Sequence, residues 1–446
     1  MRIQKVPFRK AACAPLLAML MTGCGGGSSD GGDSNLNGAN GVDGVVETVG
    51  HEDGSAPIAD YGSDNYSAEW NSASGSEIDN VTIVDDHLDT DFSIARVDWL
   101  DPVVRTGDEK GFALTADRDI SLRVFLNSSN GSTKTPPVRL QVNSKNGDLL
   151  LDELIKVDNF IDEQAPNLSN AKGTFRYKLK GEWIQPGVKI SLAIEAADLD
   201  ASNNTWAQTP NVTPAQVYYL TLVALQVTGE KEANLPSETK GDATTSALVK
   251  ANLMASYPFS NVKIRIVRPP VQSSKNREDG TWGTWLSDIT TLEKALRAND
   301  QDYGYYYGFV TPKPGGTTIG NAYMPGFTAT GQAPNKPDGT ETNNWRGTMI
   351  HEEGHNFTLG HTSSCNTIAS KDQAADYEPT WGYDARYDRM IDPQEYSILL
   401  TTASGCKSAG TWWSQDQYNR VQTRLNTVKN VLRVPPLSSS IVNDWK

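Results

Sequence analysis

The chain has 446 residues, more than one domain usually needs, and its 16 Tyr and 11 Trp are sufficient for packed cores. Its formal net charge of −14 argues against a nucleic-acid partner, because phosphate binding needs clustered Lys and Arg. Acidity of this size instead keeps an exported protein soluble.

The chain opens like an export address. Arg2, Lys5, Arg9 and Lys10 form a basic start. Ala11 to Met21 is apolar but only about half as long as a membrane-crossing helix. Met21-Thr22-Gly23-Cys24 and the Gly/Ser run behind it resemble a bacterial lipobox, which would make Cys24 the lipidated first residue of the mature chain. Ordinary signal cleavage near Gly23, without lipid, is the alternative. Residues 1–24 are therefore expected to be a lipoprotein signal. The protein is expected to be exported and lipid-anchored to a bacterial membrane, the outer one being favoured, at the cell surface or its periplasmic face. Loss of four basic side chains takes the formal charge from −14 to −18. Cys13 leaves with the signal and Cys24 takes the lipid. Cys365 and Cys406 remain, a pair expected to form a disulfide in an oxidising compartment, with two buried thiols as the alternative.

Residues 25–90 are rich in Gly, Ser, Asn and Asp. They bury too little apolar surface to offset chain entropy, so a disordered tether is expected. From residue 91 to 205 short alternating segments take over, among them Ser121–Leu126, Val138–Val142, Phe175–Leu179 and Ile190–Ile194. Period-two alternation between Gly, Asn and Pro turns predicts an antiparallel β-sandwich. Asp198, Asp200 and Asn203 have roughly the spacing of a calcium loop, but the sixth-position Gly and the closing Glu are missing, which favours a polar connector up to Pro214.

Beyond it the pattern is mixed. Tyr218–Leu225 and Val262–Val267 read as buried strands and Ala247–Ser256 as a helix. Leu286, Ile289, Leu292 and Leu296 recur at three and four residues, which predicts an amphipathic helix over Trp285–Arg297. Tyr305–Val310 and Ile319–Met324 read as strands across a Pro-Gly-Gly turn. Ser414-Gln415-Asp416-Gln417 is a capping box opening a last helix to about Leu432. The class is α+β: residues 213–435 form the second domain, and 436–446 a C-terminal tail.

Residues 351–361 read His-Glu-Glu-Gly-His-Asn-Phe-Thr-Leu-Gly-His. On a helix His351 and His355 lie one turn apart on one face, so both imidazoles can reach one ion. Zn2+ suits imidazole, and a third histidine, His361, completes a site with one position open for water or substrate. Zinc makes such a water acidic and polarises a carbonyl. Glu352, offset by one position, can take the water's proton without ligating and pass it to the leaving amine. The third histidine is what makes the pattern specific, since a bare HExxH occurs by chance.

The pattern resembles the HExxHxxGxxH signature of the metzincin clan of zinc peptidases, and more closely bacterial secreted and lipoprotein metzincins of the ToxR-regulated lipoprotein and mucin-cleaving group. The resemblance covers about residues 213–435, and the β domain before it also looks like what precedes the catalytic domain in such proteins. It implies a mixed five-stranded sheet, an active-site helix with His351, Glu352 and His355, a C-terminal helix, and a cleft bounded by an edge strand. Ile319, Gly320, Asn321, Ala322, Tyr323 and Met324 are the candidates for that strand, to which a peptide would add as a further strand. Two positions depart from the family. Thr358 stands where the signature has Gly, and Gly360 is expected to take over the turn. The methionine-turn position falls on Leu400, with Met390 as the alternative; Leu preserves apolar volume there. Tyr383, Tyr387 and Tyr396 are candidates to assist the transition state.

The expected function is a zinc endopeptidase, acting on a protein or glycoprotein as a monomer. A surface adhesin or glycoprotein-binding module on a degenerate metzincin scaffold is the alternative, motivated by Thr358 and Leu400.

Overall fold

The computed structural model describes residues 90–107, 112–129, 135–156, 166–196, 199–231, 233–236, 245–267, 270–298, 304–311, 319–334, 345–360, 381–391, 413 and 415–428. The signal, the tether, Cys24, His361, Cys365, Tyr396, Leu400, Cys406 and the C-terminal tail lie outside them. The fold is α+β. Its N-terminal part contains β1 (Phe92–Leu100), β2 (Arg105–Thr106), β3 (Leu114–Thr115), β4 (Ile120–Ser128), β5 (Val138–Asn143), β6 (Leu149–Ile155), β7 (Phe175–Leu179), β8 (Lys189–Ile194), β9 (Thr205–Gln208) and β10 (Val212–Thr213). Two antiparallel sheets, β2-β1-β4-β7 and β6-β5-β8-β9, face each other. Strand alternation explains the packing: Val138, Leu140 and Val142 of β5 are fully buried, while Arg139 and Gln141 between them are half-exposed. They meet Leu122, Val124 and Leu126 of β4 in one core.

One expectation for this region changes. β9 lies within the stretch read as a connector, and it pairs with β8 as the last strand of its sheet. Asp200 caps a short turn before it, its Oδ1 accepting from Ser202 N at 2.9 Å. Asn203 donates to Asp91 Oδ1 at 3.1 Å, an ordinary polar crosslink.

The second part adds β11 (Val217–Thr228), α1 (Thr245–Ser256), β12 (Asn261–Ile266), β13 (Val271–Asn276), α2 (Trp282–Ala298), β14 (Tyr305–Val310), β15 (Gly320–Ala322), β16 (Thr328–Gln332), α3 (Trp345–Asn356), β17 (Gly382–Asp384), β18 (Arg389–Ile391) and α4 (Gln415–Val428). Its sheet runs β12-β11-β14-β16-β15, parallel except for the antiparallel β15. β13 makes it six strands rather than the expected five. β11 is 12 residues long, and β12 covers its first half while β13 pairs with its second. Pro269 and Pro270, which have no N–H to donate, stand in sequence between the two short strands.

β14 and β15 are not hydrogen-bonded neighbours: β16 lies between them. Every residue of β14 is buried, because helices cover both faces of the sheet. Tyr305, Tyr307 and Phe309 point into a core shared with α1, α3 and α4. Tyr306 and Val310 point the other way, onto Trp285 and Ile289 of α2. Among the described residues no helix is long and apolar enough to cross a membrane.

The sandwich and the second part lie in one compact unit, Gly44–Lys446. A buried ion pair joins them. Arg118 Nε meets Asp101 Oδ1 at 2.8 Å, with both side chains under 10 % exposed. Arg118 also donates to Phe259 O at 2.7 Å and to Met254 O at 2.8 Å, beyond the end of α1 and within it. Tyr418 of α4 donates to the other Asp101 oxygen at 2.5 Å. Both Asp101 oxygens thus accept a strong donor, the condition under which a buried pair offsets its desolvation. Asp101→Ala strands the Arg118 charge, and a loss of about 3–5 kcal/mol is expected. Urea unfolding followed by tryptophan fluorescence measures it; a loss below about 1 kcal/mol would show that the pair is not the joint between the two parts.

Candidate functional site

Helical phase decides what α3 buries. Trp345, Met349 and Glu353 fall four apart, so all three lie on the stripe facing the core. Trp345 and Met349 belong there. Glu353 is a carboxyl with no exposure, and burial without partners would be costly. Tyr218 of β11 donates to its Oε2 at 2.5 Å and Asn356 Nδ2 at 3.1 Å. Burial pushes Glu353 up to about 7, and these two hydrogen bonds pull against it. The helix backbone is pinned as well: Tyr257 donates to Ile350 O at 2.6 Å and Asn252 to Arg346 O at 3.1 Å.

On the neighbouring stripe the two histidines of α3 come together. The rings of His351 and His355 have centroids 4.9 Å apart and planes at 86°. His355 is 6 % exposed, and its Nδ1 lies 2.7 Å from Leu359 O. A carbonyl only accepts, so Nδ1 carries the proton and the ring's lone pair sits on Nε2, the form that ligates a metal. Nitrogen ligands one helical turn apart, one of them held in the ligating tautomer, fit a zinc ion. Among the described residues no group of three or more His, Cys, Asp or Glu stands ready to hold a metal; the motif's His361 is not among them.

Glu352 faces the edge of the sheet. It is 5 % exposed, and burial first, then the Glu353 carboxylate, hold it well above the ordinary carboxylate range. Its carboxyl lies against Gly320: a Cβ built there would come within 2.4 Å of Oε1 and 2.7 Å of Cδ. Glycine at the first position of β15 thus makes room for the carboxyl beside the strand backbone. β16 is kept small for the same kind of reason, since a Cβ at Gly331 would strike Tyr307 Oη and sit 2.7 Å from Thr348 Cγ2 of α3.

The candidate edge strand is three residues, Gly320 to Ala322, rather than the six expected; Ile319, Tyr323 and Met324 flank it. Ile319 O accepts from Gln332 N at 3.0 Å and Tyr323 N donates to Thr328 O at 3.4 Å. By alternation Gly320 and Ala322 aim their backbone groups away from β16, and no described strand pairs with that side.

The turn after α3 differs from the expectation. Thr358 itself takes the left-handed conformation, at φ +75°, and Gly360 does not. Thr358 N donates to His355 O at 2.9 Å and Leu359 N to Gly354 O at 3.1 Å, the two bonds of a Schellman cap with threonine at its left-handed position. Arg420 of α4 donates to Thr358 O at 3.1 Å.

The remaining candidates sit elsewhere. Tyr383 is buried with Leu100, Val104 and Met390 against the sandwich. Its hydroxyl donates to Asp388 Oδ1 at 2.9 Å and accepts from Arg176 at 3.2 Å. Tyr387 lies under the Arg386 guanidinium, 5.3 Å from ring centroid to Cζ. Sequence reading passes over Glu353, Tyr218 and Asn356. Tyr218 sits in an apolar run, and a Tyr in a buried strand is the one sign that such a run carries a polar handle.

A helix that gathers two histidines and a glutamate against an open sheet edge has the chemistry of a metallopeptidase. Residues 329–416, which span β16, α3 and the histidine motif, match the Peptidase M66 family. That match supports a metallopeptidase with a metal cofactor. No curated protein matches the chain.

Thr358→Gly removes a β-branched side chain from left-handed backbone and is expected to stabilise the protein by about 1 kcal/mol. A melting temperature higher by a few degrees is the readout; a lower one would mean that the bond from the Thr358 hydroxyl to Phe357 O outweighs the strain.

Proposed function

We propose that the protein is a zinc-dependent endopeptidase in which His351, His355 and His361 hold the ion and Glu352 is the general base. The observation that carries this reading is the Glu352 carboxyl against Gly320: it supports a base that lies at a strand edge able to bind a peptide, on the same helix as the paired imidazoles. When bound, zinc supplies Lewis acidity toward a water and toward the scissile carbonyl. Glu352 would take a proton from a water in the site and deliver it to the departing amine. Burial first, then the neighbouring Glu353 carboxylate, raise its proton affinity, which suits a group that must hold a proton before releasing it. His355 keeps its ring oriented through Leu359 O. Gly320 and Ala322 offer their backbone groups to the substrate as a further strand, which aligns its peptide bond with the base.

The protein acts, on this reading, at a bacterial cell surface, exported and anchored through Cys24, with a Cys365–Cys406 disulfide closing the region after the motif. Protein or glycoprotein chains are its substrates.

Glu352→Ala is expected to lower casein or mucin cleavage at least a thousandfold while retaining zinc, as measured by metal analysis of the purified protein. A variant that cut as fast as the parent would falsify the assignment. Glycoprotein binding without turnover, insensitive to chelators, would favour the adhesin alternative. Gly320→Ala displaces the carboxyl rather than removing it. A fall in kcat of about tenfold or more is expected with zinc content unchanged, and an unaltered kcat would separate the strand from catalysis.

A further inference from the structure

Few large apolar side chains are left in water by the described fold, and two of them are adjacent: Tyr323 is 45 % exposed and Met324 43 %. They follow β15 directly. There the chain turns back over the end of α3. Gly326 N reaches Asn356 O at 3.4 Å, and a Cβ at Gly326 would meet Tyr323 Cβ at 2.5 Å. Met324 reaches the far side of the same corner, its Sδ 3.9 Å from where a Cβ on Gly360 would sit. Gly360 is the residue before His361 in the sequence. The pair therefore lies between the open edge of β15 and the turn that leads away from His355. The other exposed large apolar residues, Leu149, Leu150, Leu199 and Val217, belong to the sandwich and to the start of β11.

We propose that Tyr323 and Met324 form an apolar subsite, and that the preferred substrate carries a large apolar side chain about three residues before the scissile bond. This rests on the peptidase reading above. What covers the pair is the substrate strand itself, because the pair continues the edge on which that strand must lie. The position follows from direction. Antiparallel addition to β15 is the better-bonded arrangement, and it runs the substrate opposite to β15. Glu352 stands at Gly320, the first residue of β15, so the bond to be cut lies near that end. Tyr323 and Met324 lie three and four residues further on, at about 3.3 Å per residue. Movement toward the C-terminal end of β15 is movement toward the substrate's amino terminus. A flat phenol beside a flexible thioether suits an aromatic or long aliphatic side chain.

The test is digestion of denatured casein by the zinc-loaded full chain, with the cut sites read by mass spectrometry. Phe, Tyr, Leu and Met are expected to be enriched about three residues before the cut. Two synthetic peptides then differ only at that position, Leu against Gly. In a Tyr323→Ala/Met324→Ala variant the Leu-to-Gly ratio of kcat/KM is expected to fall about tenfold, mainly through KM. Tyr323→Phe/Met324→Leu keeps the preference, and serves also if the alanine variant does not fold. A parent enzyme with no preference at that position, a preference on the carboxyl side of the cut, or an alanine variant that keeps the preference would each overturn the inference while leaving the peptidase reading intact. No cleavage of any substrate by the parent would remove that reading and this inference with it.

Discussion

The Asp101 carboxylate is the point on which the described architecture turns. It holds Arg118 with one oxygen and Tyr418 with the other. Arg118 extends the grip to the backbone of Met254 and Phe259. One buried anion thus ties the sandwich to the end of α1 and to α4. Two further contacts make α4 more than a lid. Arg105 of the sandwich meets Asn419, and Gln422 donates to Ala113 O at 2.9 Å. Between them in sequence, Arg420 holds the carbonyl of Thr358. A single turn of α4 therefore touches the sandwich on one side and the corner after His355 on the other. The sandwich thus stands two contacts away from the turn that orients a candidate metal ligand.

The site itself is a consequence of helical phase meeting sheet topology. With Trp345 and Met349 committed to the core, Glu353 is forced under the helix and Glu352 is turned toward the edge of the sheet. Two adjacent glutamates so receive opposite surroundings. Glu353 is held by a phenol and an amide, and its donors come from the strand below and from the helix itself. Glu352 is pressed against a glycine backbone. The first braces α3 on β11. The second is set where a peptide strand can lie. Gly320 and Gly331 are the sequence's response to this proximity, because any side chain at either position would enter space that the helix or the tyrosine beneath it already fills.

Much of this is legible in the sequence. Alternation in β5 and β8 and the three-and-four spacing of α2 are local signals, and local signals read well. The histidine spacing is equally plain, because one helical turn is a local distance. What escapes reading is non-local. β16 is Thr-Ala-Thr-Gly-Gln, too small and polar to announce a strand, and it is small because α3 rests on it. Its insertion between β14 and β15 therefore breaks the hairpin that the Pro-Gly-Gly segment suggests. β13, Val-Gln-Ser-Ser-Lys-Asn, follows a pair of prolines and has no apolar alternation to announce a strand, although the length of β11 leaves an edge for it to fill. Glu353 and Tyr218 are 135 residues apart, a separation at which no spacing rule operates.

Thr358 shows how the two kinds of information combine. The resemblance to the metzincin signature marks the position, and local sterics say that threonine is a poor occupant of left-handed backbone, with Gly360 available to replace it. The backbone nevertheless turns at Thr358. Moving the turn two residues later would lengthen α3 and carry Leu359 away from His355, losing the carbonyl that accepts from Nδ1. It would exchange the cap bonds to Gly354 O and His355 O for ordinary helical ones, and it would withdraw Thr358 O from Arg420. The two bonds lost, one of them from a charged guanidinium, at about 1 kcal/mol or more each offset a strain of about 1–2 kcal/mol. The turn thus stays where the imidazole needs it, and the local penalty at Thr358 is carried by the interactions that orient His355.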